Sequence, residues 1–67
     1  MKHAKIIELW GGYNKIAQDL GVTPGQARKW WERDSIPAPY WKLVESGSEA
    51  ATGRKIAVEQ LLEHISL

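Results

Sequence analysis

Glycine and proline interrupt this chain so often that no long element can form. Gly11-Gly12, Gly21, Pro24, Pro37, Pro39 and Gly53 leave no stretch between breakers longer than about four helical turns. Within the pieces apolar residues recur at helical spacing, and none alternates with period two strongly enough for a sheet. The first piece, about residues 3–10, is apolar at Ile6, Ile7, Leu9 and Trp10 and stops at Gly11-Gly12. The second, Tyr13 to Leu20, turns Ile16, Ala17 and Leu20 inward and ends at Gly21. The third begins after Thr23 and continues to about Arg33, where Asp34-Ser35-Ile36-Pro37 breaks it, since the residue before a proline avoids helical angles. A fourth is expected to start at Pro39, where a missing N–H is harmless, with Tyr40, Trp41, Leu43 and Val44 inward. It runs to Ala51, with Thr52-Gly53 as its stop. The fifth places Val58, Leu61, Leu62 and Ile65 at i, i+3, i+4 and i+7. The expectation is one domain over residues 1–67, an all-α compact bundle of about five short helices.

A chain of 67 residues buries only about 60% of the surface it exposes when unfolded, so its core has to be economical. Four tryptophans and two tyrosines supply large buried area per residue, which makes core packing their first reading and nucleic-acid stacking the second. The absence of cysteine excludes a disulfide framework and thiolate-bound metal. His3 and His64 have no acidic partner at ligand spacing, so no metal is expected. No apolar run approaches the roughly 20 residues that span a bilayer, and no signal-peptide pattern opens the chain. A soluble cytoplasmic protein with no membrane partner is therefore expected.

The net charge of +1 hides an uneven distribution. Residues 1–44 carry Lys2, Lys5, Lys15, Arg28, Lys29, Arg33 and Lys42 against Glu8, Asp19, Glu32 and Asp34, a net +3. Residues 45–67 carry Arg54 and Lys55 against Glu45, Glu49, Glu59 and Glu63, a net −2. A basic front with an acidic tail suits a domain whose first two thirds meet a polyanion.

The informative stretch is Ile16-Ala17-Gln18-Asp19-Leu20-Gly21-Val22-Thr23-Pro24-Gly25-Gln26-Ala27-Arg28-Lys29-Trp30. Two helices that cross steeply need a small residue where they touch, which Ala17 supplies. The sharp turn four residues later needs a left-handed residue, which Gly21 supplies without steric cost. Val22 fills the gap between the helices. Thr23-Pro24-Gly25-Gln26 reads as a capping box with proline at the first helical position. This is the spacing of a helix-turn-helix, whose second helix enters the major groove of DNA. An ordinary helical hairpin that uses the same geometry for packing is the plainer alternative.

On a helical wheel Ala27, Trp30 and Trp31 form the inner face of the third segment, extended by Asp34. Gly25, Lys29 and Glu32 lie opposite, flanked by Gln26, Arg28 and Arg33. Gln26, Arg28 and Lys29 are the expected base readers, Gln for adenine and Arg or Lys for guanine, and Gly25 lets the backbone approach closely. Tyr13, Asn14, Lys15, Thr23 and Arg33 are the expected phosphate contacts, the first two at a helix start whose N–H groups point outward. Trp31 either covers the Pro37–Trp41 region, the preferred reading, or offers its ring to a sugar-phosphate edge.

Taken together, Gly11-Gly12, Ile16-Ala17, Leu20-Gly21-Val22-Thr23-Pro24, Trp30, Ile36-Pro37-Ala38 and Tyr40-Trp41 resemble the small Cro-type phage and prophage repressors. Within them the carph-isopro-type regulators are the most similar. The run from Thr52-Gly53 to Val58-Glu59-Gln60-Leu61 resembles the end of such domains. The resemblance implies a Cro/lambda-repressor-like domain of about five helices that binds operator DNA in a bacterial host, usually as a homodimer or on paired half-sites. Two positions depart from the pattern. Ala27 replaces a β-branched residue, and Ala57 stands where Ser or Thr would cap the last helix, which is then expected to fray or begin elsewhere.

The leading expectation is a sequence-specific double-stranded DNA-binding regulator with no catalytic activity and no cofactor, since there is no phosphate-binding loop, metal cluster or nucleophile paired with a histidine. A phage packaging or excision accessory is the alternative within DNA binding, because residues 27–34 also resemble the motif of small terminase subunits. An antitoxin-like interaction module, using Trp31 and the fifth segment, is the alternative outside it. The stripe of Val58, Leu61, Leu62 and Ile65 closes the chain's own core over the first segment or forms a two-fold dimer contact; the first reading is preferred.

Overall fold

In the computed structural model, which describes residues 2–65 with side chains through Glu63, the chain is all-helical. Five α-helices, α1 (His3–Trp10), α2 (Tyr13–Leu20), α3 (Pro24–Arg33), α4 (Trp41–Thr52) and α5 (Val58–Ile65), pack into one bundle of 27 × 24 × 19 Å. No helix among the described residues is long and apolar enough to cross a membrane.

The helix boundaries follow local chemistry. Gly21 ends α2 in the left-handed conformation (φ 74°), and the Val22 N–H returns to the Ala17 carbonyl at 3.0 Å. Thr23 caps α3: its hydroxyl accepts the Gln26 N–H at 3.1 Å, while Gln26 Oε1 accepts the Thr23 N–H at 3.1 Å. The third helix stops where expected but for a different reason. Asp34 itself adopts the left-handed conformation (φ 56°), and its Oδ1 accepts the Ala4 N–H at 2.7 Å. It thereby caps α1, whose own N-cap residue Lys2 supplies no side-chain bond.

The fourth helix does not start at Pro39. Ala38–Tyr40 form a single 3-10 turn, closed by the Tyr40 N–H on the Pro37 carbonyl at 3.0 Å, and α4 begins at Trp41. Two prolines in four residues leave too few donors for an α turn there, whereas one i+3 bond is enough for the tight one. At the other end α4 runs to Thr52, with Gly53 following in the left-handed conformation.

The core holds Ile6, Ile7 and Trp10 from α1, Ile16 and Ala17 from α2, and Ala27 and Trp30 from α3. Val44 from α4 and Leu61 from α5 join them, as do Ile36 and Ile56 from the connecting segments. Each large apolar side chain buried this way contributes about 1.5–3 kcal/mol. Two buried polar residues bind the segments together. The Ile36 N–H donates to His3 Nδ1 at 2.7 Å, so the ring proton sits on Nε2, 3.0 Å from the Leu61 carbonyl. Ser48 Oγ donates to the Glu45 carbonyl at 3.0 Å and accepts the Ile56 N–H at 2.7 Å.

Three apolar residues expected inside lie outside. Leu43 is 48% exposed, because α4 turns Val44 and Ser48 to the core and leaves residue 43 beside a groove. Leu62 is 50% exposed: α5 rests mainly on α4, and among the described side chains of its stripe Leu61 is fully buried and Val58 half-buried. The side chains of His64 and Ile65 lie outside the described residues. Trp31, at 39% exposure, does not cover the Pro37–Trp41 region. Trp30 takes that place, its ring centroid 4.9 Å from that of Tyr40. The start of α5 is also secured despite Ala57. Gln60 Oε1 accepts the Ala57 N–H at 2.9 Å and Glu45 Oε2 accepts the Val58 N–H at 3.0 Å, so neighbouring side chains supply the cap that Ala57 lacks.

Candidate nucleic-acid interface

The α2–turn–α3 unit presents one face of α3 to solvent. Ala27 and Trp30 are buried against the rest of the bundle, which turns Gly25, Gln26, Arg28, Lys29, Glu32 and Arg33 outward, all exposed. Every residue expected on α3 to read bases is therefore on this face, with Arg33 farther along it.

Their side chains are not equally available. Arg28 Nε donates to Glu32 Oε2 at 3.1 Å across one helical turn, with both side chains half exposed or more. Such an exposed pair is worth well under 1 kcal/mol, so its importance is orientation. Lys29 and Arg33 enter no ion pair among the described residues. Gln26, expected to read adenine with both ends of its amide, has its oxygen engaged in the cap: the Thr23 N–H at 3.1 Å and the Thr23 hydroxyl at 3.4 Å both point to Oε1. Thr23 in turn uses its hydroxyl within the cap.

The start of α2 lies beside this face. Gly12 gives the helix no side-chain cap, and the first intrahelical bond runs from the Ile16 N–H to the Gly12 carbonyl. The N–H groups of Tyr13, Asn14 and Lys15 precede it and find no acceptor among the described residues, which leaves a donor cluster with the positive end of the helix behind it. Asn14 is exposed. Lys15 Nζ sits 3.3 Å from Asp19 Oδ1 in a second i,i+4 pair. The Asp19 carboxyl also accepts the Trp10 indole N–H at 2.8 Å. That bond is the main cause holding its pKa below the ordinary value; desolvation opposes it and Lys15 adds to it.

A cluster that sequence spacing did not reveal joins these parts. The Trp31 indole N–H donates to Glu8 Oε2 at 3.2 Å, and its ring lies 6.1 Å from that of Tyr13 at a 39° tilt. Glu8, Tyr13 and Trp31 belong to three different helices, so no local periodicity could group them. The Arg28–Glu32 pair, by contrast, was legible as an i,i+4 spacing. Among the described residues no group of three or more His, Asp or Glu is placed to hold a metal ion.

Comparison of the chain with protein-family models, curated proteins and solved structures gives no match.

Proposed function

We propose that the protein is a sequence-specific double-stranded DNA-binding transcriptional regulator of the Cro type, with α3 as the helix that enters the major groove. The observation that carries the proposal is the α2–turn–α3 unit. Its glycine turn and capped start hold α3 with Ala27 and Trp30 inward and a face of Gln26, Arg28, Lys29 and Arg33 outward. The uncapped start of α2, with Lys15 in its first turn, and Arg33 at the far end of the α3 face are the groups we assign to phosphates. A helix of ten residues is about 15 Å long and meets only some four base pairs, so a homodimer on paired half-sites completes the proposal. Half-exposed Leu62 on acidic α5 is the contact we favour for it.

One observation favours a protein-interaction reading instead. A groove of about 580 Å³ opens between α2 and α4, lined by Trp10, Leu20, Leu43, Gly47 and Ala50 among others. Mapping amide chemical shifts on addition of duplex DNA separates the two. DNA binding is expected to move Tyr13, Asn14 and residues 23–33 and to leave residues 43–51 in place. An unchanged spectrum at low salt would count against the DNA reading.

A further inference from the structure

The outward face of α3 is a surface of donors. Gln26 Oε1 accepts both from the Thr23 N–H and from its hydroxyl, which leaves the amide NH₂ as the end that can face outward. Lys29 adds an ammonium with no acceptor capacity. Arg28 contributes a guanidinium whose Nε–H is already bonded to Glu32 Oε2 at 3.1 Å. That bond uses the N–H nearest the helix and leaves the two terminal NH₂ groups as a fork aimed away from Glu32. Glu32, the one acidic side chain on this face, has a carboxylate oxygen held by Arg28.

In the major groove guanine offers two acceptors, O6 and N7, and no donor; adenine and cytosine each offer a donor that these three side chains leave unmet, and thymine offers one acceptor, O4, beside its methyl, too few for a bidentate fork. We propose that α3 reads a guanine-rich strand, with the Arg28 fork on O6 and N7 of one guanine, Lys29 and the Gln26 amide NH₂ on its neighbours, and Glu32 as the residue that positions Arg28. This rests on the DNA-binding reading and replaces the adenine contact that the identity of Gln26 alone implies.

Selection of bound sites from random duplexes with the full chain is the first test, and guanines adjacent on one strand of each half-site are expected. Gln26→Glu is the second. A glutamate keeps an oxygen for the Thr23 N–H, so the melting temperature is expected to stay near that of the parent. Its outward oxygen is an acceptor, so the preference at one position is expected to pass from guanine to cytosine.

Glu32→Ala is the third and the sharpest. Removing an acid from a DNA-facing surface raises affinity for every sequence if charge alone matters. If Glu32 positions Arg28, affinity for the selected site relative to random DNA falls instead, by about two- to fivefold, because an exposed pair holds the guanidinium in place only by its own modest worth. Circular dichroism of each variant establishes that it is folded. Selected sites made of A·T pairs would overturn the guanine assignment, and a specificity ratio that Glu32→Ala leaves unchanged would overturn the positioning role of Glu32, each while leaving DNA binding intact. Failure of the parent chain to bind any duplex would overturn both.

Discussion

Replacing His3 with phenylalanine tests how this small core is held. The ring is fully buried, and its Nδ1 accepts the Ile36 N–H at 2.7 Å while Nε2 faces the Leu61 carbonyl at 3.0 Å. Phenylalanine keeps the aromatic volume and the edge-on approach to Trp41, whose centroid is 6.0 Å away, so packing changes little. The polar partners are what it abandons. Ile36 lies outside any helix, and its buried N–H would be left without an acceptor at a cost of about 1–3 kcal/mol. The Leu61 carbonyl belongs to a helix and has a second lone pair for it, so its loss costs less. A total of about 2–4 kcal/mol follows. A domain of this length has a whole stability of roughly 3–10 kcal/mol, so the variant loses a large share of it. Urea unfolding followed by circular dichroism measures the difference. A His3→Phe midpoint indistinguishable from the parent's would refute the claim that the imidazole bonds tie α1, the segment before α4, and α5 together.

Other perturbations follow from single contacts. The folded pKa of Asp19 is lowered, so its contribution to stability is complete above the ordinary carboxylate range and is lost as pH falls through the lowered value. The melting difference between the parent and Asp19→Asn should therefore stay constant from neutral pH down to the carboxylate range and shrink only on further acidification. Gly47→Ala should destabilise despite a helix-propensity gain of about 1 kcal/mol, because the new Cβ lies 3.1 Å from Trp10 Cζ2 and that indole is buried and tied to Asp19; a melting temperature above the parent's would show that Trp10 can yield. At Gly21 an added Cβ meets nothing within 4 Å, so Gly21→Ala should cost only the backbone term of about 1–2 kcal/mol, read from denaturant midpoints. Ala17→Leu, at a fully buried contact between α2 and its neighbours, should cost about 1–3 kcal/mol by overpacking in the same assay.

The helices were legible because their stops are chemical. Gly21, Thr23 and Gly53 act through their own backbone or their own side chain, so the sequence neighbours suffice to place an end. Asp34 was harder: its role as a cap depends on Ala4, thirty positions earlier, which no local pattern encodes. The same holds for His3, which spacing excluded as a metal ligand but could not place as the pin between Ile36 and Leu61.

Periodicity misplaced Leu43 and Leu62 for a related reason. Among the described residues α4 buries only Val44 and Ser48 and α5 only Leu61, and which of two adjacent apolar residues wins is set by the neighbour it meets. On α3 the wheel put Gly25, Arg28, Lys29 and Glu32 outward, as they are, because a buried Ala27 and Trp30 fix the phase. What it could not supply was the occupancy of Gln26 Oε1, since a residue can be both cap and reader by identity but not with the same oxygen.

The central claim is that the α3 face binds the DNA duplex. Its most direct test is a titration of the full chain with a labelled random-sequence duplex across a range of salt, repeated for Arg33→Ala. The account predicts that log affinity falls linearly with log salt for the parent and that Arg33→Ala flattens the slope by about 0.9, the loss of one phosphate contact. No binding at low salt, affinity independent of salt, or a slope that Arg33→Ala leaves unchanged would contradict it.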